Sequence, residues 1–234
     1  MNSVEKAFES ELEVFRTEVE AGTQFLHAYL TINSVAAKNP HVLKSLNQMA
    51  LLWKTIMGAL QTSCFIALGR IFDQNSSHNI YSVLRFTSDH PDIFGKEALG
   101  QRKKQAVANS DTWLQGYLSR AHEPSAEDFR NLRKEVAKHQ KIYQAIYDPL
   151  RDRFFAHAEL AGTDQELHQL FSQTNVEQLK GAFVFLNQLN KAFWELFNNG
   201  FAPWPLPQLR VSYGVEGTIT SEVERLLLAI RIPD

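Results

Sequence analysis

The feature that most limits what this chain can fold into is the spacing of its breakers. Pro, Gly and Asn punctuate the 234 residues at wide intervals, and the stretches between them are long enough for helices rather than strands. Within those stretches apolar residues return at three- and four-residue steps, the period of one helix face. Val4, Phe8, Leu12, Phe15, Val19, Phe25, Tyr29 and Ile32 set a first helix over about residues 3–35, closed by Asn39-Pro40. A second helix, over about 40–72, carries Leu43, Leu46, Met49, Trp53, Ile56, Leu60, Cys64, Ala67 and Ile71 in the same period. Its middle is apolar nearly all round, so the sequence predicts the central, most buried helix.

A polar loop over 73–79 leads to a short apolar segment over 80–86, and a second loop holds His90-Pro91-Asp92. Beyond it come a basic cluster, Arg102, Lys103 and Lys104, and a core face of Trp113, Leu114, Tyr117 and Leu118. Ser125 with Asp128 three residues later reads as a capping box opening a helix through Ile146, which Asp148-Pro149 interrupts and a helical stretch over 150–160 resumes. Gly162-Thr163-Asp164 makes a turn, and a Phe-rich helix over 176–197 ends at Asn198-Asn199-Gly200. Pro203-Trp204-Pro205-Leu206-Pro207 forces an extended path; residues 211–219 read as a strand or irregular arm, and 221–230 as a last helix. The expectation is an all-α bundle of long antiparallel helices over residues 1–200, with a Pro-rich extension over 201–234 packing on the bundle or on a second copy.

Composition narrows the function classes. Lys and Arg number 24 against 26 Asp and Glu, a net charge of −2, which excludes a strongly basic nucleic-acid coat. The lone cysteine, Cys64, cannot form an internal disulfide, and MNSVEKAFESELEVF lacks the basic start and apolar run of a secretory leader, so the reading is cytoplasmic. A membrane span needs roughly 20 mainly apolar residues. The uncharged stretch between Lys54 and Arg70 is too short and contains Gln61, Thr62 and Ser63, so it reads as a buried helix and no membrane is expected.

Phosphate-binding glycine loops, paired cysteines and nucleophile elbows are absent from the sequence, so no cofactor is expected. The eight histidines are scattered, none paired at three or four residues as a helical metal site requires, so no metal is expected. One segment departs from this plain pattern. Asp148-Pro149-Leu150-Arg151-Asp152-Arg153-Phe154-Phe155-Ala156-His157-Ala158-Glu159 packs arginines, acids and a histidine around a Phe-Phe pair. As chemistry, it joins a side chain that exchanges protons near neutrality to a permanently charged fork of donors suited to phosphate. As plain structure, it is an amphipathic surface helix with Phe154 and Phe155 turned inward.

An Arg, a polar residue and a His spaced as Arg151, Asp152 and His157 are, late in a helical chain, resembles the signature of the HEPN superfamily. The wording LRDRFFAHAE over 150–159 resembles its abortive-infection AbiU-like branch, as do LGRIFD over 68–73, the polar loop after it and the apolar segment over 80–86. The resemblance implies metal-independent cleavage of tRNA or mRNA at a site built across a homodimer, restrained by an antitoxin or regulatory protein. His157 would then be the general acid or base, Arg151 the phosphate clamp and Asp152 an orienting group. Helix geometry adds a constraint: at about 100° per residue, positions 151 and 157 lie about 120° apart, whereas Arg153 and His157 lie about 40° apart. Arg151 therefore meets His157 only through a distorted helix end near Pro149 or across the dimer, and Arg153 is the neighbour in cis. Arg102, Lys103 and Lys104 are candidate RNA contacts. Glu159 stands where some nuclease relatives carry a Tyr or a basic residue, which leaves a non-catalytic helical dimer that binds RNA or protein, or acts as a scaffold, as the alternative.

Overall fold

The computed structural model describes residues 1–107, 109–148, 175–209 and 215–230, and among these every regular element is helical. The order is α1 (Ser3–Lys38), α2 (Pro40–Gln48), α3 (Ala50–Phe72), α4 (Ile80–Asp89), a 3₁₀ turn at Pro91–Phe94, α5 (Lys96–Ala106) and a 3₁₀ turn at Ser110–Thr112. It continues with α6 (Leu114–Arg120), α7 (Ala126–Ile142), a π-helical turn at Tyr143–Tyr147, α8 (Val176–Asn199) and α9 (Val215–Ala229). The all-α reading therefore holds.

Local chemistry explains four of the boundaries. Asn39 Oδ1 accepts from the amides of His41 and Val42 at 3.0 and 3.2 Å, and Asn79 Oδ1 does the same for Tyr81 and Ser82 at 2.9 and 3.0 Å. The Ser125–Asp128 capping box forms in both directions. Asp128 Oδ2 also lies 3.0 Å from His122 Nε2. Gly200 ends α8 with φ +67, where an added Cβ would stand 2.6 Å from Leu99 and 2.8 Å from Ala121.

The chain divides into two compact units. The first comprises Met1–Thr17, Arg70–Ala145 and Val184–Leu209. Its core is aromatic: Phe8 on α1 meets Phe94 and Phe197 at 4.9 Å each, Phe86 at 5.5 Å and Phe193 at 6.4 Å, while Phe94 also meets Phe129 at 5.6 Å. Phe8, Phe94, Phe193 and Phe197 are fully buried, and burying each such ring contributes about 1.5–3 kcal/mol. The second unit comprises Glu18–Gly69, Ile146–Phe183 and Arg210–Asp234. Its cluster joins Ile32 of α1, Val42 and Leu46 of α2, and Leu227 of α9, flanked by Trp53, Ile56 and Leu60 of α3 and Val223 of α9.

Four expectations are corrected. The helix expected over 40–72 is two helices, broken at Met49, whose φ of −114 and ψ of 41 are not helical. Val42, Leu46, Trp53, Ile56 and Leu60 share one cluster, and a chain broken at Met49 folds around it where a straight rod would touch it only briefly. The most-buried reading of its middle also fails: Leu51 is 81% and Leu52 53% exposed, and deep burial begins only at Cys64. By length and composition α3 is apolar enough to cross a membrane, because the helix extends past Lys54 and Arg70. Finally, α9 begins at Val215, so 215–219 are helical rather than a strand or arm. Val215, Thr218 and Ile219 are β-branched and Gly217 is a weak helix former, so local propensity favours a strand here, and the packing of α9 through its buried Leu227 overrides it.

Candidate functional site

The segment with Arg151, Asp152, Arg153 and His157 lies outside the described residues, which stop at Asp148 and resume at Asn175. The structure does define the approach to it. After α7 the backbone widens into the π-turn at Tyr143–Tyr147, a departure from α-geometry found mostly as single turns and often near functional sites. In the first unit the Tyr143 ring stacks on Phe72 at 5.3 Å; in the second, the Tyr147 ring stacks on Phe65 at 5.8 Å. Both tyrosines are buried. The Tyr147 hydroxyl has no hydrogen-bond partner among the described residues, and burial, with a smaller effect of Cys64, pushes its pKa up to about 12. Burial likewise pushes the Cys64 thiol up to about 12, so this cysteine is an inert packing group rather than a nucleophile.

The second candidate region is α5, and here the structure separates three residues that the sequence grouped. Arg102 points inward. Its Nη1 donates to Glu5 Oε1 at 2.6 Å and to the Ile93 carbonyl at 2.8 Å, and its Nη2 donates to the Phe197 carbonyl at 2.7 Å. The guanidinium also lies 3.9 Å over the Phe197 ring. Burial lowers its pKa, and the Glu5 carboxylate opposes that shift. With 8% exposure, Arg102 is an internal tie between α1, α5 and α8, not a group available to a phosphate. Lys103 is half-buried, its Nζ 3.5 Å from Asn199 Oδ1 and 5.4 Å from the Tyr117 ring. Lys104 is exposed.

Lys104 stands at a groove of about 460 Å³ between α5 and α6, lined by Glu97, Gly100, Gln101, Lys104, Leu114, Gln115 and Leu118. Gly100 is what lets α6 approach: a Cβ there would sit 3.0 Å from Leu118 Cδ1. The sequence shows Glu97, Gln101 and Lys104 as one helical stripe, but α6 as the opposite wall was not legible. Arg133, another basic residue of α7, is committed elsewhere, donating to the Leu84 carbonyl at 3.1 Å and to Thr87 Oγ1 at 2.5 Å near the end of α4. His90 packs beside Phe86, ring centroids 6.0 Å apart.

The HEPN_AbiU2 family model, described as AbiU2, matches residues 5–212, which include the whole of 148–159. No curated protein and no solved structure matches the chain.

Proposed function

Because the chain belongs to the AbiU2 family of HEPN proteins, and so to the abortive-infection kind, we propose that it is a metal-independent endoribonuclease acting in the cytoplasm as a homodimer. The observation that carries this reading is the order Arg151, Asp152 and, with five residues between it and Arg151, His157, inside the span that the family matches. His157 removes the proton of a ribose 2′-hydroxyl, whose oxygen attacks the adjacent phosphorus. The bond from phosphorus to the 5′-oxygen breaks, that oxygen takes up a proton, and the products are a 2′,3′-cyclic phosphate and a 5′-hydroxyl. Arg151 stabilises the negative charge on the phosphate oxygens in the transition state, and Asp152 orients His157 or a neighbouring arginine. Arg153, adjacent to His157 in cis, is the second candidate for the phosphate-stabilising role, ranked after Arg151. The RNA is tRNA or mRNA, and an antitoxin or regulatory protein restrains the activity.

The test is cleavage of end-labelled tRNA and mRNA in EDTA by the wild-type chain, Arg151→Ala and His157→Ala, at matched fold and oligomeric state. The expected result is cuts with 2′,3′-cyclic ends that disappear in both variants. Intact RNA with a well-folded wild-type dimer overturns the enzyme reading in favour of a binding or scaffolding dimer.

A further inference from the structure

The geometry points to the α5–α6 groove as a nucleotide-binding subsite that selects guanine in single-stranded RNA; the proposal rests on the RNA-processing reading above and gives it a specificity element. The groove has the size of a ligand site, about 460 Å³ against the roughly 300–1,000 Å³ usual for such sites. Its floor is apolar, with Leu114 and Leu118 against Gly100, and suits the face of a planar base. Its walls carry four polar side chains of complementary kinds: the carboxylate of Glu97, the carboxamides of Gln101 and Gln115, and the ammonium of Lys104. None of the four side chains is engaged in a hydrogen bond or ion pair among the described residues. Their hydrogen-bonding capacity is therefore not consumed by the fold.

The donor and acceptor pattern selects the base. A carboxylate accepts only, through two oxygens, and guanine alone among the RNA bases offers two adjacent donors on its pairing edge, N1–H and N2–H. Carboxamide N–H groups meet guanine's O6 and N7 acceptors, the side of the base that donors read. An ammonium is a point charge for the adjoining phosphate. Of the residues that line the groove, Lys104 carries the positive charge and Glu97 the negative one. The internal tie of Arg102 has a further effect: it holds α5 so that the stripe of Glu97, Gln101 and Lys104 faces α6.

The experiment measures the binding, by fluorescence anisotropy, of two labelled oligonucleotides to the full chain: one of uridines only, the other identical but with one central guanosine. Both are 2′-O-methylated so that they cannot be cut. The expected result is a preference for the guanosine oligonucleotide of about tenfold, the scale of one specific base contact. Glu97→Gln removes that preference and, because it also takes away a negative charge, does not weaken uridine binding. Lys104→Ala weakens both equally and lowers the slope of log affinity against log salt by about 0.7, the loss of one phosphate contact. Equal affinity for the two oligonucleotides, or a preference that survives Glu97→Gln, overturns the subsite. Cleavage of unmodified RNA, run in parallel with His157→Ala, separates the two readings. Cutting without guanosine preference removes the subsite and keeps the ribonuclease, and preference without cutting does the reverse.

Discussion

Arg102 shows what a single residue's surroundings do to its chemistry. As a letter in Arg102-Lys103-Lys104 it is one of three equal cations, yet its guanidinium is inside, held through Nη1 and Nη2 by one carboxylate and two main-chain carbonyls while Nε has no partner among the described residues. A buried charge survives only with such partners, because desolvation of either member costs several kcal/mol. Arg102→Ala leaves Glu5 buried with no counter-charge, and the expected loss is about 3–5 kcal/mol in urea unfolding. Arg102→Lys should not rescue it, since one ammonium cannot reproduce a fork that reaches Glu5, Ile93 and Phe197 together. Replacing Glu5 and Arg102 together by apolar residues should cost less than Arg102→Ala alone. An Arg102→Ala chain of wild-type stability with weakened RNA binding would restore the surface role that the sequence suggested.

Between elements, two histidines act as pH-sensitive contacts. His27 of α1 lies 3.6 Å from Glu216 of α9, and the His139 ring of α7 stacks on Phe185 of α8 with centroids 3.9 Å apart. Burial is the largest cause holding each below the ordinary imidazole value of 6.5. Lys180 adds to the shift at His27 and Lys138 at His139, while Glu216 and Glu135 oppose it. A lowered folded pKa means that the unfolded chain binds more protons once the pH drops below about 6.5. Stability therefore falls through that window and levels off beneath the folded values. Urea midpoints taken between about pH 7.5 and about pH 5 should fall with acidity, and His139→Phe, which keeps the stacking, should flatten part of the slope. An unchanged slope in that variant would mean that His139 titrates alike in both states.

At the scale of the whole molecule, the exposed apolar side chains of the second unit fit the proposed homodimer. Leu43, Met49, Leu51 and Leu52 on or beside α2 and α3, with Leu226 and Leu228 on α9, are each more than 40% exposed. A concentration of large apolar groups outside a protein marks an interaction surface more often than a scattered one does. Light scattering on the wild-type chain should give a dimer, and Leu51→Glu with Leu228→Glu should give a folded monomer whose melting temperature no longer depends on protein concentration. If Arg151 meets His157 of the partner copy, that monomer also loses cleavage. A variant that stays dimeric places the interface on another face.

The sequence by itself determined the helical class, the stop at Gly200, the capping box at Ser125 and the family pattern over 151–157, because each is set within a few residues by backbone hydrogen bonding or by spacing. The all-α reading and the family assignment needed nothing more, and the geometry of Arg151, Asp152, Arg153 and His157 lies outside the described residues. Only the tertiary structure decided that the helix over 40–72 breaks at Met49, that Leu51 faces outward, that Arg102 faces inward and that α6 closes a groove beside Lys104. The period of a helix states which residues share a face, but burial of that face depends on an element that arrives from elsewhere in the chain. Leu46 and Trp53 share their cluster with Leu227, and Arg102 meets Glu5 and Phe197; contacts at such separations leave no local trace.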